Sequence, residues 1–100
     1  SGAQAAAPRP IAMIALGREQ SGAALRLARR LRGAGHTVVF GFGSSLGKQL
    51  KWANRISARL AVIVGTDEVA RAVATVRDMD AGAQEEVSLD LLEERLAQSA

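Results

Sequence analysis

The stretch Ile11-Ala12-Met13-Ile14-Ala15-Leu16 decides the fold, because every one of its residues is apolar. A short apolar run of this kind is typical of a strand that is covered on both faces, as in a parallel sheet. Gly17 ends the run, and Leu60–Val64 repeats the pattern further along the chain. The two runs therefore predict two buried strands of one parallel sheet.

The residues between these runs predict a helix, a strand and a second helix. Apolar residues recur at helical spacing within residues 19–33, and glycines follow them as stop signals. Thr37–Phe40 is β-branched and aromatic, which favours a strand. The glycine-rich segment Gly41–Gly47 predicts a flexible loop, and Lys48–Ala58 predicts the second helix. The order β-α-β-α-β indicates parallel strands that are joined by right-handed crossovers.

The last third of the chain breaks this alternation. Ala74–Met79 and Gln84–Val87 predict two strands, and the Asp80–Gly82 turn between them predicts a hairpin. Ser88 is a candidate N-cap for a final helix that ends near Ala97. The whole sequence therefore predicts an α/β fold in three layers, with a mixed five-stranded sheet flanked by three helices.

The ends of the chain differ from this region in composition. Residues 1–10 are rich in alanine and contain two prolines, which favours little regular structure. We expect a disordered tail or interdomain linker over residues 1–10, one domain over residues 11–97, and a C-terminal tail over residues 98–100. The first residue is not methionine, and we expect the chain to be part of a longer protein.

Composition excludes several classes of protein. The chain has no cysteine, which excludes disulfides and thiolate metal sites. No apolar run approaches the roughly 20 residues that a membrane span needs, and the N-terminus lacks the pattern of a signal peptide. We therefore expect a cytoplasmic protein.

The charge is divided unevenly along the chain. Residues 1–66 contain ten Lys or Arg against one acid, a net +9, and residues 67–100 contain three against nine, a net −6, which together give the overall +3. Such asymmetry favours a basic surface for a polyanion. The alternative is that the charges serve solubility and ion pairing within the chain.

The second predicted helix carries the sharpest candidate site. At about 100° per residue, four of its cations fall within roughly 80° of arc and form a stripe about 16 Å long: Lys48, Lys51, Arg55 and Arg59. Such a stripe can follow the phosphates of a nucleic acid, and Trp52 beside it can stack on a base. The alternatives are a solvated helix face and a tryptophan that anchors the helix at the edge of the core.

Patterns for other chemistry fail at defined positions. A phosphate-binding Walker loop needs glycine where Phe42 stands and Ser or Thr where Gln49 stands. His36 is the only histidine and has no acid near it in sequence, which disfavours a metal site. Ser44 and Ser45 have no evident general base. No catalytic residue, cofactor site or metal site is therefore expected in this chain.

Four segments of the chain, in this order and spacing, resemble one known family. They are Leu46-Gly47-Lys48-Gln49-Leu50-Lys51-Trp52-Ala53-Asn54-Arg55, Ala58-Arg59-Leu60-Ala61-Val62-Ile63-Val64-Gly65, Asp67-Glu68-Val69 and Val76-Arg77-Asp78-Met79. The family is the C-terminal anticodon-binding domain of histidyl-tRNA synthetase, a class II aminoacyl-tRNA synthetase, and the resemblance covers about residues 11–97. The chain departs from the family's common residues at Trp52 and Asn54, where Tyr and Asp are frequent, and near Ala72, where Gly is common.

The resemblance implies the fold derived above and a role in gripping the anticodon stem-loop of histidine tRNA. In related synthetases the anticodon bases meet the start of the second helix, the segment after the third strand, and the fourth strand. The matching positions of this chain are Lys48, Gln49, Lys51, Glu68 and Arg77. Trp52 and Arg55, from the region of the cationic stripe, complete the predicted set of tRNA-binding residues. Phosphate or base contact is implied for Lys48 and Lys51, and base-edge hydrogen bonding for Gln49, Glu68 and Arg77.

The resemblance also implies what this chain lacks. ATP and Mg are expected only in the catalytic domain of the parent protein, a histidine–tRNA ligase that is expected to be a homodimer. This chain alone is therefore not expected to be an enzyme. The alternative function is a synthetase-derived module for protein interaction, dimerisation or regulation, without tRNA specificity. A small nucleotide-binding α/β domain is a third alternative.

Overall fold

The computed structural model describes residues 8–97. In chain order its elements are β1 (Ile11–Leu16), α1 (Ser21–Gly33), β2 (Val38–Gly43), α2 (Leu46–Arg55), β3 (Leu60–Val64), α3 (Thr66–Ala70), β4 (Val73–Asp78), β5 (Gln84–Ser88) and α4 (Leu92–Ala97). The strands form one sheet in the order β2-β1-β3-β4-β5. β1, β2 and β3 are parallel, whereas β4 is antiparallel to β3 and β5 is antiparallel to β4. The predicted mixed five-stranded sheet is confirmed.

Two apolar clusters, one on each face of the sheet, hold the layers together. α1 and α4 cover the first face with buried leucines, among them Leu31 and Leu92. α2 covers the second face, where Ala53 is fully buried. β1 and β3 are apolar at every position and supply both clusters, because successive side chains of a strand point to opposite faces. This is the expected three-layer arrangement, in which each fully buried leucine contributes roughly 1.5–3 kcal/mol.

One helix was not predicted from the sequence. Thr66–Ala70 forms α3, where only a turn that closes β3 was expected. Five residues make fewer than two helical turns, which is too short for an apolar periodicity. α3 is stabilised by a cap instead, because Glu68 Oε1 accepts a hydrogen bond from the Gly65 backbone N–H at 3.0 Å. Within residues 8–97 the sheet is therefore flanked by four α-helices rather than the predicted three.

The glycine-rich segment is mostly strand and helix rather than loop. β2 continues through Gly43 and α2 begins at Leu46, which leaves only two serines between them. Gly41 lies within β2, and α2 packs tightly over it. An ideal Cβ on Gly41 would come within 2.5 Å of both Trp52 and Gln49. The glycine therefore makes room for the helix instead of ending the strand.

α2 ends at Arg55 and not at the predicted Ala58. Ser57 has a left-handed backbone with a φ of 58°, through which a right-handed helix does not continue. Arg59 lies just before β3, where its backbone N–H donates to the carbonyl of Pro10 and its carbonyl accepts from the N–H of Met79, both at 3.0 Å. The prediction that Arg59 extends the cationic stripe is therefore wrong.

Arg9 ties the start of the described chain to two loops. Its guanidinium donates two hydrogen bonds of 2.9 Å to the Asp80 carboxylate, and the bonded guanidinium lowers the pKa of Asp80. It also donates to the carbonyls of Ser57 at 2.9 Å and Ala58 at 3.1 Å. Arg9 thus holds the α2–β3 loop and the β4–β5 turn together. The rest of the predicted N-terminal tail, residues 1–7, and the predicted C-terminal tail, residues 98–100, lie outside the described residues.

Ala72 has a backbone conformation that favours glycine. Its φ is 55°, and an alanine in this left-handed region costs roughly 1 kcal/mol relative to glycine. We expect Ala72→Gly to raise the free energy of unfolding by about 1 kcal/mol, measured by urea denaturation. The matched control is Ala70→Gly in α3, which should lower the free energy of unfolding, because glycine is unfavourable in a helix. A less stable Ala72→Gly variant would contradict this explanation.

Candidate nucleic-acid interface

Three exposed side chains on α2, which we call the α2 cations, face away from the sheet: Lys48, Lys51 and Arg55. At about 100° per residue they fall within roughly 60° of arc, opposite the buried Ala53. Within residues 8–97 none of the three has an ion-pair partner. Their charge is therefore not neutralised by the described part of the chain.

The carboxylates of the acidic half, in contrast, are largely engaged by arginines. Arg71 bridges Asp67 at 2.7 Å and Glu86 at 2.6 Å, and its hydrogen-bonded guanidinium lowers the pKa of both carboxyl groups. Three further pairs are Arg9–Asp80, Arg30–Glu93 and Arg95–Glu85. The acidic half therefore shows the ion pairing of the second alternative, whereas the α2 cations have no ion-pair partner within residues 8–97.

Two of the α2 cations, Lys48 and Arg55, line a groove at the β2 edge of the sheet. This edge groove has a volume of about 350 Å³ and is lined by Phe40, Gly41, Phe42, Lys48, Gln49, Trp52 and Arg55. One N–H of the Gln49 amide donates to the carbonyl of Phe42 at 2.9 Å, which fixes the amide against the strand. Two cations, the Trp52 indole and an amide therefore line one groove, a combination that suits single-stranded RNA.

Trp52 contacts the core and also lines the edge groove. Its indole packs against the second apolar cluster and lies over Gly41, so it anchors α2 at the edge of the core. The side chain remains partly exposed and lines the edge groove. An indole that is fixed in this way loses little conformational entropy when a base stacks on it.

Glu68 is held in one orientation at the start of α3. Its Oε1 accepts from the Gly65 N–H at 3.0 Å, and its Oε2 accepts from the Thr75 hydroxyl at 3.4 Å. A carboxylate oxygen has more than one acceptor site, so these two bonds leave capacity for a donor of a ligand. The structure therefore presents Glu68 as a fixed acceptor rather than as a mobile surface carboxylate.

Arg77 lies on the same face of the sheet as α2. It pairs in register with Ala61, a residue of the second apolar cluster, and cross-strand partners point to the same face. Its Nη1 donates to Gln84 Oε1 on β5 at 3.1 Å. One such bond leaves most of the five N–H donors of a guanidinium for other acceptors.

Four of the seven predicted site residues line one groove, and the other three lie outside it on the same side of the sheet. Lys48, Gln49, Trp52 and Arg55 line the edge groove, and Lys51 lies on the outer side of α2. Glu68 and Arg77 lie further across, on the side of β3 and β4. The sequence assigned Phe40 to a strand but not to the site, and it assigned Phe42 to the Gly41–Gly47 loop because of its glycine neighbours. The alternation Phe40-Gly41-Phe42-Gly43 was the signal that could have placed both rings on one side of a strand.

Other kinds of site find little support among the described residues. Residues 8–97 contain no group of three or more His, Cys, Asp or Glu side chains that could hold a metal ion. The same residues include no helix long and apolar enough to cross a membrane. Burial and the charge of Arg59 lower the pKa of His36.

Comparison with curated proteins points to one family. A family model described as an anticodon binding domain matches residues 11–99. The histidine–tRNA ligase of Rhodospirillum rubrum is 50% identical over 91% of this chain, and that of Gluconacetobacter diazotrophicus is 44% identical over 92%. In both cases the match takes up 22% of the relative, so the chain spans about a fifth of the length of these proteins.

Solved structures agree with this result. The histidyl-tRNA synthetase from Nostoc sp. superposes with a TM-score of 0.85 and 31% identity, over 93% of this chain and 23% of that chain. The RNA binding domain of threonyl-tRNA synthetase from Cryptosporidium parvum shares the fold, with a TM-score of 0.81 and 18% identity over 90% of this chain and 23% of that chain. With a family match that extends over residues 11–99, the chain belongs to the anticodon binding domain family.

Proposed function

We propose that this chain recognises the anticodon loop of histidine tRNA, as the C-terminal domain of a histidine–tRNA ligase. The observation that carries the proposal is the edge groove, where the Trp52 indole lies beside Lys48 and Arg55, which have no ion-pair partner within residues 8–97. In this proposal ATP and Mg bind the catalytic domain of a homodimeric, cytoplasmic parent protein. This chain supplies only the tRNA recognition that supports aminoacylation.

The proposed contacts divide into those that position the RNA and those that read it. The α2 cations hold phosphates, which sets the register of the RNA but carries no sequence information. Trp52 offers a stacking surface that every base can use. Gln49, Glu68 and Arg77 are the candidates for base edges, since their amide, carboxylate and guanidinium groups are each oriented by a hydrogen bond within the domain.

A titration of this chain with histidine tRNA and with one non-cognate tRNA, at low and at physiological salt, tests the proposal. We expect tighter binding to histidine tRNA, and weaker binding to both RNAs as salt rises, because phosphate contacts release counterions. Equal binding to the two tRNAs, or no binding at low salt, would contradict the proposed function.

The same titration distinguishes reading from positioning. Glu68→Gln removes the charge but keeps an oxygen that can cap the Gly65 N–H, and it should bring the affinities for the two tRNAs closer together. Lys51→Ala should weaken both tRNAs alike and lower the salt slope by about one unit. Equal losses on both tRNAs in both variants would remove the base-reading role of Glu68.

A further inference from the structure

Phe42 borders two cavities. It lines the edge groove, and it also lines a second cavity of about 420 Å³. This second cavity, the Phe42 pocket, is lined by Ala15, Gly17, Arg18, Ser21, Phe42, Gly43 and Ser44. Its walls come from the carboxyl ends of β1 and β2 and from the start of α1. None of the seven residues that the proposed function uses lies in it.

Phe42 is exposed but firmly held. Its side chain is 56% exposed, and its ring stacks on Phe40 with centroids 5.5 Å apart and an angle of 4° between the planes. Phe40 in turn packs against the first apolar cluster and lies 5.5 Å from the guanidinium carbon of Arg32. A fixed aromatic face can bind a flat partner at low entropic cost.

The pocket combines this ring with a cation. Arg18 is exposed, and it has no ion-pair partner among residues 8–97. The other lining residues are small, and the carboxylate of the neighbouring Glu19 is not among the groups that line the pocket. An open space between an aromatic face and a cation suits a stacked base and its phosphate, since the base supplies a flat π surface and the phosphate a negative charge.

The two cavities meet at Phe42, which lines both. Lys48 and Arg55 line the edge groove, and Arg18 lines the pocket. We propose that the Phe42 pocket binds one unstacked RNA base, which stacks on Phe42 while its phosphate contacts Arg18, next to the nucleotides in the edge groove. This inference rests on the proposed function, because it adds a base subsite to the same RNA interface.

Removal of single bases from an RNA probe tests this subsite. The probe is a stem-loop with the anticodon loop of histidine tRNA, together with a series in which one loop base at a time is replaced by an abasic ribose. We expect one such removal to weaken binding to the unmodified chain roughly tenfold. The same removal should have no effect on the Phe42→Leu variant, which keeps apolar bulk but has no ring and should bind the complete RNA roughly tenfold more weakly.

Two further variants complete the experiment. Arg18→Gln should weaken every RNA of the series and lower the salt slope by about one unit. Leu25→Ala is the matched control, because Leu25 is 48% exposed on α1 and does not line the pocket; it should bind like the unmodified chain.

The outcomes separate the two proposals. If Phe42→Leu binds every RNA of the series as the unmodified chain does, while Lys51→Ala still weakens binding, the subsite is overturned and the proposed function stands. The exposed ring is then a contact for another protein surface. If the unmodified chain does not bind the complete RNA even at low salt, both proposals are overturned.

Discussion

Replacement of the three α2 cations by alanine is expected to lower the affinity for tRNA on the order of hundredfold at low salt. Each cation that contacts a phosphate displaces a condensed counterion from the RNA, and the entropy of that release favours binding. The slope of log K against log salt concentration should therefore fall by up to about three units. Isothermal titration or fluorescence anisotropy over a range of salt concentrations gives both quantities.

A matched control separates local contact from net charge. Arg26 and Arg29 are exposed on α1, on the other face of the sheet, and neither has an ion-pair partner within residues 8–97. Their joint replacement by alanine should change affinity by much less than replacement of the α2 cations. If the loss per removed charge is equal on α1 and α2, the domain attracts RNA only by its net charge, and the assignment of the interface to α2 is wrong.

Gly41→Ala is expected to lower the free energy of unfolding by about 2 kcal/mol. A Cβ on this buried glycine would come within 2.5 Å of Trp52 Cζ3 and 2.8 Å of Trp52 Cε3, and within 2.5 Å of Gln49 Oε1. The amide can turn away, but the ring is rigid and is packed against the second apolar cluster. The indole or the whole of α2 must therefore shift, which should be measurable by urea denaturation and by Trp52 fluorescence.

Two variants show whether the clash with Trp52 is the cause. Gly47→Ala adds the same methyl group within α2, where no heavy atom lies within 4 Å of the new Cβ, so stability should stay constant or rise by up to about 1 kcal/mol. Gly41→Ala should cost much less stability in a Trp52→Ala background, and a double-mutant cycle measures this coupling. A Gly41→Ala variant as stable as the unmodified chain would contradict the tight contact.

The sheet could be predicted because its signals are local. The strands Ile11–Leu16 and Leu60–Val64 are apolar throughout, and a strand buried on both faces requires this composition. α1 is long enough for its apolar period to recur. The five-residue α3 is too short for such a period, and its stability depends on the bond between Glu68 and the Gly65 N–H. A turn and a short capped helix therefore look alike in the sequence.

The candidate site was predicted in its charges and in Trp52, but not in Phe42. Cations at helical spacing are recognisable wherever the helix begins, so Lys48, Lys51 and Arg55 were placed together in advance. The end of α2 depends on the backbone of Ser57, which no residue pattern fixes, and Arg59 was therefore misplaced. Phe42 was assigned to a loop because it follows Gly41. In the structure the strand continues past Gly41, where the Trp52 indole of α2 packs over it. No pattern in the neighbouring residues indicates that contact.

The position of Arg9 has a mechanical consequence. Arg9 is bonded to the loops at the end of the sheet where β1 and β3 begin, whereas Phe42 pairs with Ala15 near the other end of β1. Six residues of strand span roughly 20 Å. A movement at Arg9 therefore acts directly on the loop that follows Arg55, whereas Phe42 lies a full strand length away.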